Sequence, residues 1–313
     1  MQYAINCSPN KPERLLNMAI LSLRMQKIII LWSFLIIPLL LLGVFTYYPA
    51  FSLITISFTN WNGISSIKTG VGLDNYIRVF SDPKYFEIFS HNLIYFFVGF
   101  VQIGLSLYFA VILNSKLRGR NIFRAILFSP YIINSVAIAF MFTFLLNNEV
   151  GALNVVLKEI GLGSLSMNWL SDPKIINYSL AFMSTWKYMG FMMVIIIGAL
   201  QSIPNDIYEA ASIDGANGFQ AFRFITLPSL RRILELCFFL NLNGALAAFE
   251  FPFVIFPSGS PLGMSDTFVT NTLLTSFRYS DFGLASAMGV LLMIITIILV
   301  LAQRWLLFGR DEK

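Results

Sequence analysis

The side chains of this sequence best able to do chemistry are a few charged and amide groups set inside long apolar stretches. One stretch carries Glu235, Asn241, Asn243 and Glu250, and another carries Lys187. Such groups are costly in apolar surroundings unless they face a polar cavity or a partner side chain. Their chemistry is therefore hydrogen bonding and ion pairing, which can hold a polar molecule or join two helices.

No catalytic or metal-binding constellation accompanies these groups in the sequence. There is one histidine, His91, and there are two cysteines, Cys7 and Cys237, far apart in the chain. A serine–histidine mechanism or a zinc site needs more of these residue types at defined spacings. The Gly-x-x-x-x-Gly-Lys-Ser/Thr phosphate loop is also missing from the sequence. We therefore expect no enzyme activity, no metal ligand and no cofactor bound by this chain.

The composition points to a membrane protein. Of 313 residues, 57% are hydrophobic and 12% are charged, and the mean hydropathy is +0.74. A soluble domain carries about 25% charged residues. This balance excludes a disordered chain, a disulfide scaffold and an ordinary cytosolic enzyme. A protein that crosses a membrane several times remains.

Six stretches are long and apolar enough to cross a bilayer, which takes about 20 helical residues. They are continuously apolar, which favours helices over the alternating strands of a barrel. The expected fold is all-α, a polytopic membrane protein with six transmembrane helices, in which residues 1–27 form a tail, 28–307 the transmembrane domain and 308–313 the C-terminal end. The predicted spans are Ile28–Tyr48, Asn92–Leu113, Ile122–Leu146, Ile175–Leu200, Ile233–Phe256 and Gly283–Leu307.

The distribution of lysine and arginine predicts the orientation, because cytoplasmic segments are enriched in both. Fourteen of them lie in the two ends, in the loop between the second and third spans and in the loop between the fourth and fifth spans. Six lie in the three other loops. Both termini are therefore predicted to be cytoplasmic, with loops 49–90, 147–174 and 257–282 outside. This topology accounts for the net charge of +5, so the expected partner is the lipid bilayer and not a nucleic acid.

The cytoplasmic loop 201–228 contains signals for a helix of its own. Pro204 suits the first helical position and Asp206 suits the first turn. Gly215 and Gly218 can each end a helix. The sequence therefore predicts a helix of about three turns on the cytoplasmic side, between the fourth and fifth spans.

The residues of this helix suit a docking surface. Ala210 and Ala211 allow another backbone to approach closely, and Glu209 offers an anchor for a basic partner. A lone Glu-Ala-Ala is common in helices, but here it starts a longer pattern. The chain reads Glu209-Ala210-Ala211, three residues, Gly215, nine residues, Ile225, one residue, then Leu227-Pro228.

This spacing resembles the signature loop of permease subunits in bacterial ABC importers, and its surroundings resemble the sugar-transporting branch of the maltose and multiple-sugar type. The resemblance extends from about Trp32 to Phe308. The supporting motifs are Asp214-Gly215-Ala216, Trp186 with Gly190, Ala199-Leu200-Gln201-Ser202-Ile203-Pro204, Tyr48-Pro49, Ser57-Phe58-Thr59-Asn60-Trp61 and Gly72-Leu73-Asp74-Asn75-Tyr76.

The resemblance implies a coupling helix that docks in a groove of an ATPase subunit. Its coupling residues would be Glu209, Ala210, Ala211, Asp214 and Gly215. It also implies a second homologous permease subunit, two ATPase subunits that hold ATP and Mg, and an extracytoplasmic solute-binding protein. The location would be the bacterial cytoplasmic membrane.

Three alternatives remain open on the sequence alone. The first is an ABC permease for another solute, such as a polyamine, a phosphate ester or an amino acid. The second is an ion-coupled secondary transporter, which would need membrane carboxylates such as Glu235 and Glu250 to cycle protons. The third is a structural or assembly protein of the membrane, which the intact signature loop disfavours.

The fifth span supplies the first candidates for a solute path. At 100° per residue, Asn243 and Glu250 fall on one face of a continuous helix, while Asn241 falls roughly opposite. We expect Asn243 and Glu250 to line the path. Hydrogen bonding between helices is the alternative use of Asn243.

The fourth and third spans supply the other candidates. Lys187 lies deep in its span and needs a carboxylate or a polar cavity, which Glu250 or another chain could provide. Trp186 and Tyr188 could stack on a sugar ring, or could pack helices instead. Asn134 follows Pro130 at a possible kink and is the last candidate.

Overall fold

The computed structural model describes residues 11–115 and 117–308, so the first ten residues of the predicted tail, Lys116 and residues 309–313 lie outside it. The described part contains fifteen α-helices. They are α1 (Lys11–Leu42), α2 (Tyr48–Ser57), α3 (Asp74–Ser81), α4 (Pro83–Asn114), α5 (Arg120–Ile132), α6 (Ser135–Leu145), α7 (Ala152–Glu159), α8 (Ile176–Leu200), α9 (Asn205–Ile213), α10 (Gly218–Ala221), α11 (Leu227–Ser229), α12 (Arg231–Leu246), α13 (Glu250–Ile255), α14 (Phe268–Leu273) and α15 (Phe282–Phe308).

The chain divides into two compact units between Thr55 and Ile56. The described part of the first unit holds α1, a π-helical turn at Gly43–Tyr47 and most of α2. Helix α1 already begins at Lys11, inside the segment predicted to be a polar tail. The second unit holds the remaining helices, and all contacts below lie within it.

The all-α prediction with up to six membrane crossings is confirmed. By length and composition, five helical segments could cross a membrane: Met25–Ser57, Pro83–Asn114, Ile176–Leu200, Arg231–Ile255 and Phe282–Leu306. The pair α5 and α6 makes a sixth only as a broken span, because the two helices meet at an angle of 98°. The bend lies just after Pro130, where the sequence suggested a kink, and it breaks the predicted third span into two helices.

The bend in the third span has a local cause. Pro130 cannot donate a hydrogen bond to the carbonyl of Ile126, four residues earlier. The Ser129 hydroxyl donates to that carbonyl instead, at 2.9 Å. Asn134 then caps the new helix, since its side chain accepts from the backbone N–H of Val136 at 2.8 Å.

The fifth span is also interrupted, between Leu246 and Glu250. Pro252 removes the donor that the carbonyl of Ala248 would use in a continuous helix. The Thr267 hydroxyl donates to this carbonyl. The side-chain amide of Asn92 donates to the carbonyls of Ala245 and Leu246, at 2.8 and 3.2 Å. The broken backbone is therefore satisfied by neighbouring side chains, as an apolar surrounding requires.

The second span begins earlier than predicted. Helix α4 starts at Pro83 and not at Asn92, because Asp82 caps it by accepting from the N–H of Lys84 at 3.0 Å. Proline is favoured at the first helical position, so Asp82-Pro83 is a helix start within the predicted loop 49–90.

Helix α8 organises the second unit and contacts α4, α5, α6, α12 and α13. Its approach to α5 is so close that a Cβ atom on Gly190 would overlap the backbone carbonyl of Leu127. Similarly, a Cβ atom on Gly99 of α4 would overlap the side chain of Asn241 in α12. Small residues thus let the helices approach where the polar side chains lie.

The segment predicted to be the outer loop 257–282 is partly buried. Helix α14 lies within it, capped by Thr267, and Thr270 and Asn271 are buried. The backbone N–H of Phe268 donates to Asn92 at 3.0 Å, which ties this segment to α4. Thr267 and Thr270 bond to each other within the segment, whereas Asn271 Oδ1 is buried without a hydrogen-bond partner among the described residues.

Candidate functional site

A polar cluster joins three helices around the carboxylate of Glu250. Its Oε2 atom accepts hydrogen bonds from Lys187 Nζ at 2.9 Å, Ser135 Oγ at 2.6 Å and Tyr188 OH at 3.0 Å. Lys187 Nζ also donates to Ser135 Oγ. Of the partners that the sequence left open for Lys187, the structure places Glu250 against it.

The two helix breaks place this cluster. Ser135 is the first residue of α6 and Glu250 is the first residue of α13, while Lys187 and Tyr188 lie in the continuous α8. The Lys187 side chain is 8% exposed and the Glu250 side chain is 43% exposed. The ammonium group is therefore shielded, and part of the carboxylate stays accessible.

A cavity of about 360 Å³ lies beside the cluster, between α4, α8, α12 and α13. Aromatic, aliphatic and sulfur-containing side chains form most of its wall. Its hydrogen-bonding side chains include Gln102, Ser184, Thr185, Tyr188, Asn241 and Glu250. Apolar walls with a few convergent polar groups are typical of small-molecule sites.

The asparagine that lines this cavity is Asn241 and not Asn243. Asn241 is buried and donates to the carbonyl of Phe96 at 3.2 Å. Asn243 lies outside the lining, and its amide donates to the carbonyl of Phe239 in its own helix at 2.8 Å. The prediction that Asn243 and Glu250 lie on one face assumed an unbroken helix. The break at 247–249 changes the angular position of Glu250 relative to the residues of α12.

Two other candidates also lie away from the cavity lining. The ring of Trp186 packs edge-on against Phe142 with their centroids 5.5 Å apart, in the hydrophobic core. Asn134 is exposed and caps α6. The structure thus brings together Lys187, Tyr188 and Glu250, with Trp186 and Asn134 serving the helices beside them.

Several cavity residues were missed from the sequence. Residues such as Gln102, Ser184 and Thr185 occur in many membrane helices and gave no signal on their own. They line one cavity only because α4 and α8 pack together. Pro252 was the signal that could have identified Asn241. It predicts a break in the fifth span, and the break changes which residues before it lie on the same side as Glu250.

The short loop helix predicted between the fourth and fifth spans is present as α9. Pro204 precedes it as the N-cap, one position before the predicted one, and Asp206 lies in its first turn. Gly215 ends it with a φ of +81°, a left-handed conformation that favours glycine. Gly218 begins α10 and does not end α9.

The surface of α9 is open along its length, and none of its residues is buried. Glu209 and Ala210 are exposed, Ala211 is half-buried, and Asp214 and Gly215 are exposed just after the helix. The five predicted coupling residues therefore lie together on an accessible segment.

One contact fixes α9 to the chain that follows it. The Tyr208 hydroxyl lies 2.9 Å from Thr226 Oγ1, shortly before α12. Only four residues separate the end of α8 at Leu200 from the start of α9 at Asn205. A displacement of α9 would therefore reach two helices that line the cavity.

Comparison with known proteins agrees with this architecture. The crystal structure of a bacterial ABC transporter involved in the import of the acidic polysaccharide alginate contains a chain similar in fold, with a TM-score of 0.80. That match has 20% sequence identity and covers 93% of this chain and 99% of the other. At this identity the likeness supports the fold alone.

The sequence relatives are closer. The probable ABC transporter permease protein YurN of Bacillus subtilis is 33% identical, covering 88% of this chain and 96% of the relative. The multiple sugar-binding transport system permease protein MsmF of Streptococcus mutans is 30% identical, with 84% and 90% covered. The trehalose/maltose transport system permease protein MalF of Thermococcus litoralis is 34% identical, with 75% and 77% covered.

Residues 102–309, which include the cavity-lining helices α8 and α12 and the exposed helix α9, match a family of transport permeases. The chain is therefore an integral membrane protein that belongs to the family of binding-protein-dependent transport system inner membrane components.

Proposed function

We propose that this chain is a permease subunit of an ATP-driven ABC importer and that its solute is a sugar. With a second permease it would form the translocation path for a mono- or oligosaccharide delivered by a solute-binding protein. Two ATPase subunits would bind ATP and Mg, and this chain would hold neither. The observation that carries the proposal is the exposed helix α9, which directly follows the cavity-lining helix α8.

The path from α9 to the cavity supports the mechanism. Closure of the ATPase pair on ATP would move α9, and the Tyr208–Thr226 contact would carry this motion toward α12. Thr185 and Tyr188 of α8 and Asn241 of α12 line the cavity, so its walls would shift with these helices. Each step is a shift between two packings, driven by the different affinity of each state for ATP or solute.

The cavity also supports a carbohydrate as the solute. Its amide and hydroxyl groups can exchange hydrogen bonds with sugar hydroxyls, and the rings of Tyr188, Phe191 and Phe249 offer faces on which a sugar could stack. Relatives are named for multiple sugars, trehalose and maltose, diacetylchitobiose and arabinooligosaccharides. An arrangement of this kind suits a neutral, hydroxyl-rich molecule.

The orientation follows from the loop charges. Fourteen of the lysines and arginines fall on the side that would be cytoplasmic, together with α9. Both termini would lie on that side of the bacterial inner membrane, and the solute-binding protein would approach from the opposite side.

The test is uptake by the complete transporter in proteoliposomes. The two permeases and the ATPase are reconstituted, the binding protein is added outside, and uptake of a panel of labelled sugars is measured with and without ATP inside. We expect ATP-dependent uptake of at least one sugar. Uptake driven by an ion gradient without ATPase would contradict the proposal, and so would ATP-driven uptake confined to polyamines, phosphate esters or amino acids.

A further inference from the structure

The carboxylate of Glu250 is held on one side only. Its three hydrogen-bond donors within the described residues, Lys187, Ser135 and Tyr188, all bind the Oε2 atom. No side chain or backbone group in the described part of the protein donates to Oε1. Glu250 lines the cavity and its side chain is 43% exposed. One carboxylate oxygen is therefore free for a molecule in the cavity.

The positive charge that balances Glu250 lies behind it. Lys187 is 8% exposed at its side chain and is not part of the cavity lining. Within the lining formed by the described residues, Glu250 carries the one charged side chain. A molecule that enters the cavity thus meets a carboxylate oxygen before it meets the ammonium group.

We propose that Glu250 selects the cavity's solute by charge, accepting uncharged polyhydroxylated solutes and excluding anionic ones. This inference rests on the proposed function in that the cavity must carry solute. A sugar hydroxyl can donate a charge-assisted hydrogen bond to Oε1. A uronate or phosphate group would instead face a like charge.

The same geometry disfavours polyamines. A polyamine carries several positive charges, whereas the cavity offers one carboxylate that is already paired with Lys187. The one exposed carboxylate oxygen can face one of these positive charges and leaves the others without a counter-charge in the cavity lining. The favoured class is therefore an uncharged sugar or oligosaccharide.

A purely structural role is the competing explanation, because the cluster also joins α6, α8 and α13. The two explanations differ in their readout. A structural clamp affects stability, whereas a selectivity residue sets the relative access of anions, cations and neutral molecules to the cavity.

The experiment measures that access directly. Ala247, which lines the cavity, is replaced by cysteine in a chain whose Cys7 and Cys237 are changed to alanine, and the complete transporter is assembled. Sulfonatoethyl, hydroxyethyl and trimethylammonioethyl methanethiosulfonates serve as anionic, neutral and cationic probes. Their rates are measured with and without ATP and are divided by their rates with a free thiol.

With the native Glu250, the anionic probe should react about 3- to 10-fold more slowly than the neutral probe. Glu250→Gln should abolish or reverse this preference, because it leaves the ammonium of Lys187 unbalanced. Glu235→Gln is the matched control, since it removes a carboxylate of the same span that does not line this cavity, and it should keep the native ratio. If Glu250→Gln fails to assemble, the double variant Lys187→Met/Glu250→Gln removes both charges and should show no preference.

Unchanged probe ratios in both Glu250 variants would overturn the inference, as would a cysteine at 247 that no probe reaches in any state. A second measurement separates this result from the proposed function. Neutral oligosaccharides should protect the cysteine, and their uronic acid counterparts should not. If the probe ratios change in the Glu250 variants but no sugar protects the cysteine, the sugar assignment alone is refuted. If uronic acids protect the cysteine as well as neutral oligosaccharides do, the charge selection alone is refuted.

Discussion

The cluster around Glu250 and the exposed helix α9 are built in opposite ways. In the cluster, side chains from α6, α8 and α13 satisfy one another within the chain. In α9, no residue is buried, and within the described residues its side-chain hydrogen bond to another segment is the one between Tyr208 and Thr226. The ion pair of the cluster is therefore a finished arrangement within the chain, with one carboxylate oxygen of Glu250 left open, and α9 is a surface that fits a role completed by another protein.

The difference follows from the surroundings of each region. A charge inside the membrane must find its partner in the protein, because no water is there to solvate it. An exposed helix outside the membrane spans can leave its carboxylates in water until a partner covers them. Changes in α9 should therefore affect assembly and transport, whereas changes around the cluster should affect the stability of the chain itself.

The largest effect is expected from Glu209→Lys in α9. It reverses the charge of an exposed anchor, so the affinity of the permease pair for its ATPase should fall roughly 10- to 100-fold. The thermal unfolding of the permease should stay unchanged. Binding of purified ATPase to the permease pair in nanodiscs measures the effect. Glu159→Lys, at the exposed end of α7, is the control and should leave that affinity unaltered.

The next effect concerns the packing that supports the cluster. Gly190→Ala places a Cβ atom against the backbone of Leu127 and should lower the free energy of unfolding by about 1–3 kcal/mol. Gly198→Ala in the same helix meets open space and should be neutral within about 0.5 kcal/mol. Thermal unfolding in detergent compares the two, and equal stabilities would contradict the close approach of α5 and α8.

A smaller effect is expected from breaking the ion pair. Lys187→Met leaves Glu250 without its cation and should cost about 1–2 kcal/mol, less than for a fully buried pair because Glu250 is half-exposed. Adding Glu250→Gln should restore part of the loss. Arg78→Met breaks the exposed pair with Asp281 and should cost only about 0–1 kcal/mol. If Lys187→Met were no worse than Arg78→Met, the cluster would not be the finished arrangement described above.

The smallest effect is expected at Asn243. Because its amide bonds within its own helix, Asn243→Leu should change stability by less than about 0.5 kcal/mol and transport by less than about twofold. Asn241→Leu should reduce transport far more, since Asn241 lines the cavity against Gly99. Uptake assays on the two variants decide the matter, and the reverse order would place the path on the other face of α12.

The sequence predicted α9 well because its signals are local. Pro204, Asp206 and Gly215 lie within a few residues of one another, and each acts on the backbone next to it. The pairing of Lys187 with Glu250 was also predictable, since a deep lysine needs a carboxylate and the spans offer few.

The remaining features depend on contacts between distant segments. The position of Asn241 depends on the break before Pro252, which Thr267 and Asn92 stabilise from elsewhere in the chain. The burial of segment 257–282 could not be read from its polar composition, because Thr270 and Asn271 lose their water only when α14 packs. Predicting these features requires the tertiary structure.

The most direct test of the account asks whether α9 meets an ATPase on the cytoplasmic side. Ile213 ends α9 and is 86% exposed, so a cysteine there is accessible without disturbing the core. In oriented vesicles, the account predicts labelling by impermeant thiol reagents from the cytoplasmic side alone, and a crosslink to the ATPase subunit in the assembled transporter. Labelling from the opposite side, or an assembled and active transporter in which no such crosslink forms, would contradict it.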